Sequence, residues 1–173
     1  MEGFGVLDVG CGNEPKGDVN CDLYVADAQN HRNLGTSNRL ATHFISNFIV
    51  CDASHLPFRD AIFKMVVCRQ IIEHFQNPFA LLKELCRVSY HAVRVETVHR
   101  LGENAVLNPR NRRWFKQHHV SKFNFKWFHQ AAAALGFHVT QTYTLSYQHL
   151  PSNFIPMFRF PYEIGVVIER DQK

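Results

Sequence analysis

No run of apolar residues in this chain reaches the roughly 18 needed to cross a bilayer, so no membrane span is expected. No signal-peptide pattern precedes the first apolar segment, and a cytoplasmic protein is the expectation. The five cysteines, Cys11, Cys21, Cys51, Cys68 and Cys86, are an odd number without a Cys-x-x-Cys spacing. A disulfide framework or a thiolate zinc site is therefore not expected; reduced cysteines in strands act as small apolar residues. Internal repeats, low-complexity tracts and Gly/Ser linkers are lacking too. The 173 residues read as a single domain, 1–173, long enough to bury a substantial core.

What is present alternates. Strands are predicted over about 4–9, 18–23, "NFIVCDA" and "FKMVVCRQ", with an irregular or partly helical stretch at about 26–44. In "NPFALLKELCRVS", Asn77 is a good N-cap, Pro78 suits the first helical position, and Phe79, Leu82, Leu85 and Cys86 recur at helical spacing. "HAVRVET" reads as a strand, and "NFKWFHQAAAALG" as a helix opened by Asn124 and stopped by Gly136. Strands "FHVTQTYTL" and "YEIGVVIER" close the chain. Between them, 146–161 holds Pro151, Pro156 and Pro161 and reads as a long loop. Its aromatics Tyr147, Phe154, Phe158 and Phe160, with Tyr162 beside them, suit an acceptor-pocket wall, a contact between copies or plain core. This order implies an α/β fold with a mainly parallel sheet flanked by helices. Ligands in such folds bind beyond the carboxyl ends of the strands, where strand order reverses.

The glycine turn of "VLDVGCGNEPKGDVNCDLY" lies at such a strand end. Gly10 and Gly12 let the backbone bend and approach a ligand without a Cβ in the way. A third glycine opening a helix is missing, which argues against NAD or FAD. Only Asn13 to Asp18 join Gly12 to the second strand, so the usual first helix is reduced or absent. Asp22 ends the second strand, where a carboxylate can accept from both ribose hydroxyls. Asp52 ends the third, where it can take the exocyclic amine of adenine. Singly, each acid is an ordinary turn or cap residue; together with Asp8 they form a pattern.

Three stretches carry a resemblance: "VLDVGCG", "CDASHLPFRDAIFKMVVCRQIIEHFQNP" and "HHVSKFNFKWFHQAAAALGF". In this order and spacing the chain resembles the class I S-adenosylmethionine-dependent methyltransferases, in particular the ubiquinone/menaquinone-biosynthesis type, over about residues 5–140. The resemblance implies a Rossmann-like seven-stranded sheet with an antiparallel C-terminal strand, and S-adenosylmethionine as cofactor. It also implies roles. Asp8, Gly10 and Gly12 line the methionine half, Asp22 holds the ribose, and Leu23 packs on adenine. Asp52 and Ala53 face the adenine edge; Cys68, Arg69 and Gln70 run alongside the methionyl group. Glu73 and His74 lie on the acceptor side, with His74 the candidate catalytic base. Lys64 stands where the family commonly has Asp, and the N-terminal helices that often cap the cofactor are not present ahead of the first strand.

The net charge is +4, unevenly spread. Between Arg87 and Lys126 nine Lys and Arg face two Glu, a local +7 that leaves −3 for the rest. The peak, "NPRNRRWFKQHH" at 108–119, interleaves basic and aromatic residues that suit an RNA backbone and stacked bases. An ordinary solvated loop has the same composition. No Asn/Asp-Pro-Pro-Tyr/Phe motif for base amines follows the fourth strand, and no Pro-Cys pair suggests a cytosine nucleophile. The expected partner is therefore a small-molecule acceptor, with RNA using 108–126, or a non-catalytic binding or assembly module of the same fold, as alternatives; a homo-oligomer is compatible with any of them. Among eleven histidines, neither His118–His119 nor His43 has a ligand partner at the usual spacing, and no metal is expected.

Overall fold

The computed structural model describes residues 4–12, 14–23, 45–101, 118–149 and 159–171. The stretch 26–44, residues 108–117 of the basic segment, and Pro151, Phe154, Pro156 and Phe158 lie outside the described residues. The elements are β1 (Phe4–Val9), β2 (Val19–Asp22), β3 (Phe48–Val50), β4 (Phe63–Arg69), a 3-10 turn (Ile72–His74) and α1 (Pro78–Val88). They are followed by β5 (Ser89–Val98), α2 (Phe125–Ala134), β6 (Phe137–His149) and β7 (Arg159–Arg170).

The strands form one seven-stranded sheet in the order β3-β2-β1-β4-β5-β7-β6. β3, β2, β1, β4 and β5 pair in parallel, and β7 runs antiparallel to β5 and β6. Chain order reverses at β1, which has β2 on one side and β4 on the other. The crevice for a ligand therefore opens beyond the carboxyl ends of β1 and β4.

Both described helices begin as the sequence predicts. Asn77 Oδ1 accepts from Ala80 N at 3.1 Å with Pro78 behind it, and Asn124 Oδ1 accepts from Trp127 N at 2.9 Å. Each cap satisfies an amide that the first helical turn leaves unpaired. Helix α1 buries Leu81, Leu82, Leu85, Cys86 and Val88, and α2 buries Phe128, Ala131 and Ala132. These join Val66, Cys68, Val93, Val95, Ile164, Val166 and Ile168 of the sheet in one core. Alternation along β5 sends Arg94 and Glu96 to the other face, where Arg94 and Glu96 are ion-paired and the Tyr143 hydroxyl meets both. The Tyr143 ring lies over Gly165, so close that a Cβ there would come within 2.2 Å of it.

Among the described residues the link from β1 to β2 contains no helix. Parallel neighbours normally need a crossover of a dozen or more residues, yet here residues 10–18 suffice. The chain doubles back along β1: Asp18 N donates to Val6 O at 2.8 Å, and Val6 N donates to Asp18 Oδ2 at 2.8 Å. Asn20 clasps Gly17 through both amide atoms, at 2.9 and 3.0 Å, and reaches Ser46 O at 3.1 Å. Gly17 itself lies against backbone; a Cβ would sit 2.4 Å from Val19 O and 2.7 Å from Asp8 N. The expectation of a first helix reduced to a turn holds.

The loop predicted over 146–161 is shorter than expected, because β6 runs on to His149 and β7 starts at Arg159. Pro161 lies inside β7 rather than in a loop. It pairs with Tyr147 beyond the point where β5 ends against Glu163, so its side toward β5 needs no ladder amide. Among the described residues no helix is long and apolar enough to cross a membrane.

Candidate functional site

The carboxyl ends of β1, β2 and β3 bring the three predicted acids to one edge of the sheet, in three different environments. Asp8 is fully buried. Its Oδ2 accepts from the Lys16 amide at 2.9 Å and from Arg69 Nη2 at 3.0 Å. Burial pushes its carboxyl above the usual range, opposed by the Arg69 guanidinium beside it. Asp8 Oδ1 and Arg69 Nε are buried without a protein hydrogen-bond partner. The end of β4 thus places a positive charge against the end of β1, and Arg69 Nη2 also reaches Glu14 O at 2.7 Å.

The glycine turn follows Asp8. Gly10 and Gly12 both have left-handed backbone, φ +67° and +54°, which a side chain would resist. Gly10 N and Cys11 N donate to Cys21 O at 2.7 and 3.1 Å, and Gly12 N donates to Asp22 Oδ2 at 3.0 Å. The turn is therefore sewn onto the tip of β2, and buried Asp22 is fixed by the glycine loop. Next to it Leu23 is 54% exposed, an apolar platform beside the acid.

Asp52 is exposed, and its Oδ1 accepts from Ser54 N at 2.8 Å and Ser54 Oγ at 2.7 Å. Those bonds hold its carboxyl below the usual range and fix it in a turn. Ala53 is half-buried against the core. The Cys51 amide donates to Asp22 O at 3.0 Å, which ties this turn to the β2 tip.

Past β4 the predicted trio divides. The Cys68 side chain is sealed in the apolar core, where burial pushes its thiol well up, so it presents no sulfur to a ligand. Arg69 faces Asp8. Gln70 takes φ +54°, a conformation costly for a residue with a side chain. It is held by Gln70 N donating to Glu96 O at 2.8 Å and Gln70 Nε2 to Glu163 Oε1 at 3.2 Å. Ser146 Oγ donates to the other oxygen of Glu163 at 2.7 Å, so β7 and β6 brace the kink.

The 3-10 turn then presents Glu73, buried, and His74, exposed. His74 Nδ1 lies 2.9 Å from His118 O. A carbonyl only accepts, so in the neutral ring Nδ1 carries the proton and Nε2 the lone pair. His119 is buried beside it, ring centroids 5.0 Å apart. Burial, first, and neighbouring His74 push His119 down to about 4. Sequence spacing gave no sign that His119 meets Glu73 and His74, nor that Arg69 pairs with Asp8; both meetings are made by the sheet. A separate cleft of about 760 Å³, lined by Tyr90, His91, His138, Glu169, Arg170 and Asp171, lies at the opposite end of the strands.

Comparison with known proteins agrees with this layout. Residues 7–91 match the family model described as a methyltransferase domain. A stretch of 86 residues, 48% of this chain, is 36% identical to the tRNA (carboxymethyluridine(34)-5-O)-methyltransferase alkbh8 of Xenopus tropicalis; it spans 13% of that protein. In structure, 99% of the chain superposes on 94% of a putative methyltransferase from Bacillus halodurans, with TM-score 0.64 and 17% identity. The magnesium protoporphyrin IX methyltransferase of Synechocystis PCC 6803, solved with bound SAH, is matched over 98% of this chain and 75% of its own, with TM-score 0.59 and 14% identity. The sheet order, the glycine turn fastened to an acid on β2, and the family match together place this chain among the class I S-adenosylmethionine-dependent methyltransferases.

Proposed function

We propose that this chain transfers a methyl group from S-adenosylmethionine, in line, to a small-molecule acceptor. The observation that carries the reading is the fastening of Asp22 to the Gly12 amide at the switch point of the sheet. The residues present fit the cofactor. The amino-acid end of S-adenosylmethionine is a zwitterion, and the buried pair Asp8–Arg69 offers Asp8 Oδ1 to its ammonium and Arg69 Nε to its carboxylate. Asp22, a carboxylate with two acceptor oxygens held at the tip of β2, takes the ribose hydroxyls. Leu23 covers one face of adenine, with Asp52 and Ala53 at its edge. No phosphate needs a helix N-terminus, which is why residues 14–18 can return directly into β2.

When bound, the cofactor supplies an activated sulfonium methyl whose C–S bonding pair stays on sulfur as the acceptor attacks. The protein's main task is then alignment, which can lower a barrier by about 7–11 kcal/mol. Strained Gln70, braced by Glu163, shapes the wall at the methyl. His74 Nε2 serves to take the proton of an acceptor that arrives as a hydroxyl or ammonium.

RNA is the second reading of the acceptor, supported by the 36% identity to a tRNA methyltransferase and by the basic run around Arg110, Arg112 and Arg113. Titration calorimetry with S-adenosylhomocysteine tests the cofactor half directly. One equivalent should bind, and Asp22→Ala should weaken it by about tenfold or more, since a hydrogen bond to a charged group contributes about 1.5–3 kcal/mol. A flat titration by folded wild-type protein would instead favour a non-catalytic module. A salt-sensitive RNA complex lost on neutralising the three arginines would favour the second acceptor.

A further inference from the structure

Two imidazoles and a carboxylate meet on the acceptor side of the glycine turn. Glu73, His74 and His119 each offer a ligand atom, and these atoms all lie within 4.8 Å of one another. Backbone bonds hold the two chain segments together there. Val120 N and Ser121 N donate to Glu73 O at 2.9 and 3.1 Å, and Ser121 Oγ donates to Phe75 O at 2.9 Å. His119 is thereby locked against the 3-10 turn, although far from it in sequence.

The groups behind the cluster are those of a ligand set. A metal-bound imidazole usually gives its other N–H to a carbonyl or carboxylate, which fixes the tautomer. His74 does so through Nδ1 to His118 O at 2.9 Å. A metal-bound carboxylate is usually hydrogen-bonded in turn. Glu73 Oε2 accepts from Thr97 Oγ1 at 2.9 Å, with Glu73 1% and Thr97 0% exposed. First-row ions bind nitrogen and oxygen donors at about 2.0–2.2 Å. Tetrahedral donors at that radius sit about 3.4 Å apart, so an ion would draw these atoms, which lie within 4.8 Å of one another, closer together.

We propose that Glu73, His74 and His119 bind a divalent first-row transition cation, whose remaining coordination positions receive an oxygen of the methyl acceptor. Two nitrogens and one carboxylate oxygen suit zinc, iron, cobalt or manganese, and three protein ligands leave a site open to substrate. The cation's role rests on the methyl-transfer reading; its binding does not. On the acceptor the ion acts as a Lewis acid and lowers the pKa of a coordinated hydroxyl. That O–H bond breaks and its proton passes to solvent. The oxygen forms the new bond to the methyl carbon while the carbon–sulfur bond breaks, its pair remaining on sulfur. The Nε2 lone pair of His74 then serves the ion, and the proton needs no other base.

The test uses full-length protein stripped by a chelator and titrated with Co²⁺, followed by visible absorption. Wild type should take up one ion per chain with bands of a four- or five-coordinate nitrogen–oxygen site. His74→Ala and His119→Ala should each weaken binding at least tenfold. Thr97→Val, which removes only the support of Glu73, should weaken it by about 10–100-fold. His138→Ala, at the far end of the sheet, should change nothing. Absence of saturable binding by folded wild type overturns the proposal, as does unchanged affinity in folded His74→Ala and His119→Ala. Calorimetry with S-adenosylhomocysteine on the same samples separates the readings. Nucleoside binding without ion binding sinks this inference alone, and ion binding without nucleoside binding sinks methyl transfer while leaving the cation site.

Discussion

Gly17 shows how a single residue sets the geometry of the cofactor end. A Cβ on it would come within 2.4 Å of Val19 O and 2.7 Å of Asp8 N, closer than a Cβ tolerates. Replacing it with alanine must push the 14–18 return away from β1 and carry the Lys16 amide off Asp8. Gly17→Ala should cost about 1–3 kcal/mol of stability, the range for forced overpacking, read as a lower urea midpoint. A further loss of S-adenosylhomocysteine affinity should accompany it. The individual acids were legible because each ends a run of strand-forming residues, a local signal. The pairing of Asp8 with Arg69 and the convergence of His119 on Glu73 were not, because sequence distance says nothing about which strand tips adjoin. Asp52 fits the same pattern, and the bonds its Oδ1 takes from Ser54 fix the carboxylate in its turn through a contact only two residues away.

At the scale of elements, the return from β1 to β2 and the seating of α1 matter most. Helix α1 is tied to the loop before β4 by Arg87, which reaches Glu84 at 2.7 Å, Asp60 at 2.6 Å, Phe58 O at 2.9 Å and Leu56 O at 3.1 Å. Glu84 also accepts from Leu56 N at 2.8 Å. The hydrogen bond from Arg87 chiefly holds the Glu84 carboxyl below its usual range, against the effect of burial. A carboxyl with a lower pKa in the folded chain stabilises it above the unfolded value, about 4.3. That contribution is lost as pH falls through the folded value. The urea midpoint should therefore drop on acidification below about pH 4.3, and Glu84→Gln should flatten the drop while lowering the midpoint at neutral pH. The helices were legible from caps and apolar spacing. The strand ends at His149 and Arg159 were not, because a proline past the reach of β5 has the same composition signal as a proline in a loop.

At the scale of the whole molecule, the sheet order decides what a glycine turn can hold. The reversal between β2–β1 and β1–β4 opens the crevice, and β7 with β6 extends the sheet far enough for Glu163 and Ser146 to brace Gln70. Both described helices cover one face, leaving two polar clusters to the other, Asp8 with Arg69 and Arg94 with Glu96 and Tyr143. The alternation of strands and helices made the class of fold readable, and the antiparallel β7 followed from the family likeness rather than from any local pattern. A crystal structure of the chain with S-adenosylhomocysteine is the most direct test of the central claim. The ribose hydroxyls should lie on Asp22 and the amino-acid end against Asp8 Oδ1 and Arg69 Nε, over the bend at Gly10 and Gly12. Density for the nucleoside in the cleft between His91 and Asp171, or anywhere away from Asp22, would contradict it.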